Sequence, residues 1–159
     1  MRNSRDPNAV ALAVVRITVG CFFFVFGQYK VFGTGFTLHG GFTHTVQGFV
    51  QEGAFPFMVP LLNGILAHCA TAMAFAVAYG ELLIGISLVL GVWTRVASFF
   101  GFLLMMAMWL SGGYPGTHVA FWRYWGASLD WSIFALCFVA LMMGRPEEVW
   151  ALRWRRAES

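Results

Sequence analysis

Two ionisable residues stand where the surrounding sequence is least suited to them: Glu81, near the middle of the apolar run ATAMAFAVAYGELLIGISLVLGV over 70–92, and Arg16, inside the run over 9–32. A charge at bilayer depth is costly unless it is paired or faces a polar cavity, so each demands a partner. On a helix Glu81 shares its face with Ala70, Ala74, Ala78 and Gly85, and Arg16 shares its face with Ala13, Gly20 and Gly27. Both charges therefore lie on stripes of small residues, where a second helix can approach closely. At ~1.5 Å of rise per residue, Arg16 lies roughly 10 Å in from the start of its run and Glu81 roughly 16 Å in from the end of its own, a difference an arginine side chain can bridge. The spacing predicts a buried Arg16–Glu81 pair between the first two spans. Two roles are open to such a pair: registering one helix against the other, because a buried pair specifies more than it stabilises, or binding a polar headgroup and relaying a proton.

A second group gathers towards the opposite end of the spans: Lys30, His68, His118, Arg123 and Asp130, with His39 and His44 on the connection after the first span. Asp130 falls level with Lys30, so a salt bridge from it to Lys30 or Arg123 is the plain expectation. The chemical expectation is a quinone or proton site made by His68, Asp130 and Lys30, since imidazole can donate to a quinone oxygen while passing a proton. No metal site is expected, because no histidine pair shows HxH or HxxxH spacing and His39 and His44 stand five apart in a glycine-containing stretch. There is no Gly-rich phosphate loop, Ser/His/Asp order, CxxCH haem attachment or zinc motif, which argues against a self-contained enzyme and against a covalently bound cofactor. Cys21, Cys69 and Cys137 form no CxxC pair and read as small buried hydrophobes.

The elements that must position these groups follow from composition and periodicity. The chain has 159 residues, is 59% hydrophobic and only 11% charged, with a mean hydropathy of +0.71; an average soluble domain is about a quarter charged. These totals describe an all-α integral membrane protein of one domain, 1–159, with no room for a separate soluble unit. Apolar runs place four spans at about 9–32, 61–92, 96–110 and 128–144, followed by a basic amphipathic tail, 145–159. They predict a four-helix bundle. Between spans one and two, Phe42, Val46, Phe49 and Val50 recur at helical spacing opposite Thr43, Gln47 and Gln51, which predicts a short interfacial helix.

The start of the chain leads into a run too long for a signal-peptide core, so the first span is expected to be retained. Arg2, Arg5, Arg95, Arg145, Arg153, Arg155 and Arg156 fall on one side of the spans and Lys30 and Arg123 on the other, which places both termini in the cytoplasm. Trp122, Tyr124, Trp125 and Trp131 read as an interfacial aromatic belt. The net charge of +3 resides near span ends, so it speaks to topology and anionic lipid and not to nucleic acid.

The segments VVRITVGCFFFVFGQYKVFG and YGELLIGISLVLGVWTRVASFFGFLLMM, with a last span carrying an acidic residue near its start, resemble the DoxX family of small four-helix membrane proteins. The most specific element is G-E-L-L-x-G-x-x-L-x-L-G-x-x-T-R from Gly80 to Arg95, joined to Arg16 and Lys30. The resemblance implies a multi-pass protein of a bacterial or archaeal inner membrane, related to the DoxD/DoxX component of quinol oxidase and of thiosulfate:quinone oxidoreductase. It also implies quinone-linked electron transfer with other membrane or redox subunits as partners, and a quinone as the ligand near Arg16 and Glu81. The absence of a ligand set for any electron carrier in the sequence favours a different class, a non-catalytic accessory subunit of a larger respiratory or photosynthetic complex. Transport is the weakest reading, because four spans without inverted repeats offer little from which to build alternating access.

Overall fold

The computed structural model describes residues 7–126, 128–144, 146 and 150–151. Arg2, Arg5, Arg145 and the tail arginines Arg153, Arg155 and Arg156 lie outside the described residues, as does the side chain of Trp125. Seven helices follow in order: α1 Pro7–Phe32, α2 Gly41–Glu52, α3 Val59–His68, α4 Ala70–Leu90, α5 Thr94–Gly112, α6 Arg123–Gly126 and α7 Leu129–Met143. No strand occurs among the described residues. α1, α4 and α5 are long and apolar enough to cross a membrane. α7 has 15 residues and is ~22 Å long, against a hydrocarbon core of ~30 Å.

The run expected to form a single second span is two helices. Cys69 leaves the helical region at φ −147° and ψ 25°; its N–H closes α3 on the Ile65 carbonyl, and its own carbonyl accepts the Met73 N–H that opens α4. The break occupies one residue, which is why an apolar pattern running through it does not reveal it. α4 ends at Gly91, where φ is +72°. The Val92 N–H turns back to the Ser87 carbonyl at 3.0 Å, the six-to-one bond of a Schellman cap that needs a left-handed residue.

α1 and α4 run antiparallel with their backbones in contact. Gly20 lies on Leu88 and Val89, Gly27 on the backbone of Leu82, and Gly85 on the backbone of Phe24 and the Gly20 carbonyl. These glycines fix the register: Gly27 is level with Leu82 and Phe24 with Gly85. α5 and α7 form the second pair, with Gly101 seated under the Phe138 ring. The two pairs close on a core of Val19, Phe23, Leu88, Met105, Phe138 and Leu141. The start of α1, the α4–α5 turn and the end of α7 share one end of the molecule, where Gly144 meets Leu12 and Gly91 meets Ala151.

α2 is the helix expected after the first span. Its apolar stripe faces protein: Phe42 and Val46 are buried with Ala54, Leu62 and Ala74, and Phe49 and Val50 pack against them. This smaller core covers the early turns of α4, which the register leaves beyond the end of α1. Large apolar side chains elsewhere on α1, α4 and α5, including Val25, Leu83, Val96 and Phe100, point outward, as spanning helices require.

Candidate functional site: an ion pair at the end of an apolar cavity

Lys30, in the last turn of α1, donates from Nζ to Glu81 Oε1 at 2.6 Å. The side chains are 18% and 6% exposed. The ammonium group also lies 4.8 Å from the centre of the Phe36 ring, just after α1, close enough for a cation–π contact. Glu81 therefore has a partner, and it is Lys30 rather than the expected Arg16. The glycine contacts explain the difference. They place Glu81 level with Gln28, one turn before α1 ends, an offset that counting rise from the ends of the two runs does not contain.

Arg16 is fully buried at the other end of the same helix pair. Its Nη2 donates to the Trp150 carbonyl at 2.7 Å, and its guanidinium lies directly against Gly91, where a Cβ would overlap Nη1. Gly91 and Glu81 are ten residues apart on α4, or ~15 Å. Arg16→Met and Glu81→Gln should accordingly destabilise independently, the double variant matching the sum of the singles to within about 0.5 kcal/mol in a denaturing-detergent titration. Strong coupling would mean that the two groups communicate through the α1–α4 interface.

The Lys30–Glu81 pair closes one end of a cavity of about 470 Å³ between α1, α4, α5 and α7. Its walls are otherwise apolar: Phe22, Phe23 and Phe26 from α1, Met105 and Met108 from α5, and Trp131 and Phe134 from α7. Asp130 is the remaining polar contributor. It lies exposed in the first turn of α7, where a carboxylate is favoured by the helix dipole. Asp130 thus lines the same cavity as Lys30, although Lys30 makes its salt bridge with Glu81.

The DoxX family model matches residues 11–113. The chain belongs to the DoxX family. The DoxX match runs from Ala11 in α1 to just past α5, and so takes in Arg16, Lys30 and Glu81; it stops before α7, so Asp130 and the Trp131–Phe134 wall lie outside it. No curated protein and no solved structure matches the chain.

The remaining candidates of this DoxX chain are scattered. His68, the last residue of α3, lies at the surface in a shallow depression with Cys69 and Thr71, apart from the Lys30–Glu81 cavity. His39 Nδ1 is 3.2 Å from the Thr34 carbonyl. His44 shares a groove with Thr45 and Glu52, and His118 sits on a turn at φ +64°. Among the described residues no three His, Cys, Asp or Glu side chains gather to hold a metal ion.

The cysteines are free, but Cys21 and Cys69 are exposed rather than buried. Cys21 follows Gly20 and so misses the glycine face that packs on α4, and Cys69 is the helix break. Trp131 also departs from expectation. It turns inward, edge-on to Phe49 at 5.9 Å, and lines the cavity instead of joining an outer belt. Nothing in the local pattern distinguishes it from Trp122, which is 69% exposed; the distinction comes from α7 packing on α5.

Proposed function

We propose that this DoxX protein is a multi-pass inner-membrane subunit that seats a quinone headgroup beside Lys30 and Glu81 while a partner subunit handles the electrons. The observation carrying this reading is the buried ion pair at the end of an otherwise apolar, ring-lined cavity. A quinone brings the capacity to take up two electrons and two protons. Lys30 offers ammonium hydrogens beyond the one committed to Glu81, suited to a carbonyl oxygen. Glu81 Oε2 is buried and makes no hydrogen bond among the described residues, an acceptor left open at a cost that a hydroxyl donor would relieve. Phe and Trp faces with methionine thioethers suit a flat, polarisable ring.

Two further elements belong to this reading. α7 is the fourth span of a four-helix bundle, its shortness accommodated by local thinning of the bilayer. The end carrying Arg95 and the chain termini is cytoplasmic, by the excess of arginine there.

The test is purification from native membranes in mild detergent, with the assembly mass and extractable quinone recorded together. The unmodified protein should retain about one quinone per chain; Glu81→Gln should retain at least tenfold less, and His68→Ala, which alters only the separate depression, should retain as much as wild type. Loss of quinone in His68→Ala with retention in Glu81→Gln would move the site to α3. The second reading, an accessory subunit, draws support from the projecting Phe121 and Trp122, 79% and 69% exposed between α5 and α7, as a contact surface for a larger complex. It predicts a large assembly and no quinone on this chain.

A further inference from the structure

The cavity has chemistry at one end only. Lys30, Glu81 and Asp130 are its polar members, and the rest of the wall is aromatic or thioether. A ligand polar throughout would leave most of its hydrogen-bonding groups facing hydrocarbon, which costs free energy at each. The complementary shape is a polar ring continued by an apolar tail.

The fold also offers a seam beside this cavity for such a tail. α1 is locked to α4 by backbone contact at Gly20, Gly27 and Gly85, and α5 is locked to α7 at Gly101. α1 and α7, by contrast, meet over a short stretch, and the junction is made by ring edges. Phe23 meets Phe138 at 5.1 Å and Phe134 at 6.0 Å, and Phe22 meets Phe134 at 5.8 Å. These edges floor the cavity. One turn further along α1, Phe26 lines the cavity while remaining 55% exposed on the outer surface, and Phe22 is 48% exposed. Rings that belong at once to the cavity wall and to the outer face of α1 mark where inside and outside communicate. The helices bearing them present apolar side chains outward, so this seam opens towards lipid.

We infer that the α1–α7 seam is a tail groove: the occupant is a tailed, lipid-soluble ring compound that enters sideways from the bilayer, its head at Lys30–Glu81 and its tail across Phe26 and Phe22. The inference rests on the quinone reading and adds the route and the residues that select for a tail. Phe26 is a specificity residue here, acting on the tail and not on the headgroup.

The experiment uses the full chain in lipid nanodiscs with two photoreactive benzoquinones, one bearing the azide on the ring and one at the end of a ten-carbon tail, the adducts mapped by mass spectrometry. The ring reagent should label the cavity wall, including Met105 and Met108, and the tail reagent should label Phe22, Phe26 or their α7 neighbours. Phe26→Ala leaves the buried core intact and should lower the affinity ratio of decyl-benzoquinone over tailless benzoquinone several-fold, through loss of the ring's packing contacts with the tail. Ring labelling in the cavity with tail labelling on α2 or α3, or an unchanged affinity ratio in Phe26→Ala, would overturn the seam while leaving the headgroup seat in place. Ring labelling away from the cavity would overturn both.

Discussion

Gly85→Leu should abolish the folded protein. A Cβ at position 85 would fall on the backbone nitrogen of Phe24, and one at position 27 on the backbone of Leu82. No rotamer change relieves these overlaps, because main-chain atoms stand on both sides. The helices would have to separate along their whole contact, losing close packing that hydrophobic burial cannot replace between helices in lipid. Overpacking that side chains can absorb costs about 1–3 kcal/mol; a main-chain collision between two spans should exceed that range. Even Gly85→Ala and Gly27→Ala should lower the midpoint of a denaturing-detergent titration substantially. Gly80→Ala and Gly64→Ala are the controls. Both are helical glycines with open space where the methyl group would go, and they should be neutral or stabilising by up to about 1 kcal/mol through helix propensity. If all four alanine variants behaved alike, the close approach of α1 and α4 would be wrong.

Lys30→Met should be nearly as damaging, for an electrostatic reason. Glu81 is 5% exposed, its Oε2 has no partner among the described residues, and Lys30 holds the other oxygen. Removing the ammonium group leaves a buried carboxylate with no compensating charge, a change that costs about 3–5 kcal/mol. Pairing Lys30→Met with Glu81→Leu should restore most of that stability, because replacing both members of a buried pair by apolar groups is often close to neutral. The measurement is a double-mutant cycle on unfolding, with quinone retention followed in parallel. The double variant should be stable and empty, separating the fold's dependence on the pair from the ligand's. Equal damage in the single and double variants would show that Lys30 acts mainly through its contact with Phe36.

Much of this architecture is written plainly in the chain. The small-residue faces around Arg16 and Glu81 are the faces that pack, and the Phe42, Val46, Phe49, Val50 stripe is a helix with a buried side. Lys30 and Asp130, level by count along their runs, line one cavity, but the salt bridge expected from Asp130 to Lys30 is made by Glu81 instead. What stayed hidden is register. Counting rise from the ends of the runs sets Arg16 opposite Glu81, but the offset is fixed by where two glycine faces interlock, a property of the pair that neither run contains alone. The Cys69 break is hidden for a related reason, since one non-helical residue leaves hydropathy unchanged. The inward turn of Trp131 depends on a partner more than eighty residues away in sequence, at Phe49.

The Arg16–Trp150 bond bears on where a redox partner could stand. It fixes the segment after α7 to the end of the molecule bearing Arg95, fourteen residues of α1 and hence ~21 Å from Lys30. A donor recruited by that segment would face the headgroup seat through the full length of the helix pair, insulated by the Val19 and Leu88 layer. On the proposed quinone reading, electrons would have a shorter path to the cavity from a protein resting on α2 or on the stretch between α5 and α7. On the quinone reading, a partner bound beside Trp150 and a donor serving the cavity would therefore stand at opposite ends of the α1–α4 pair.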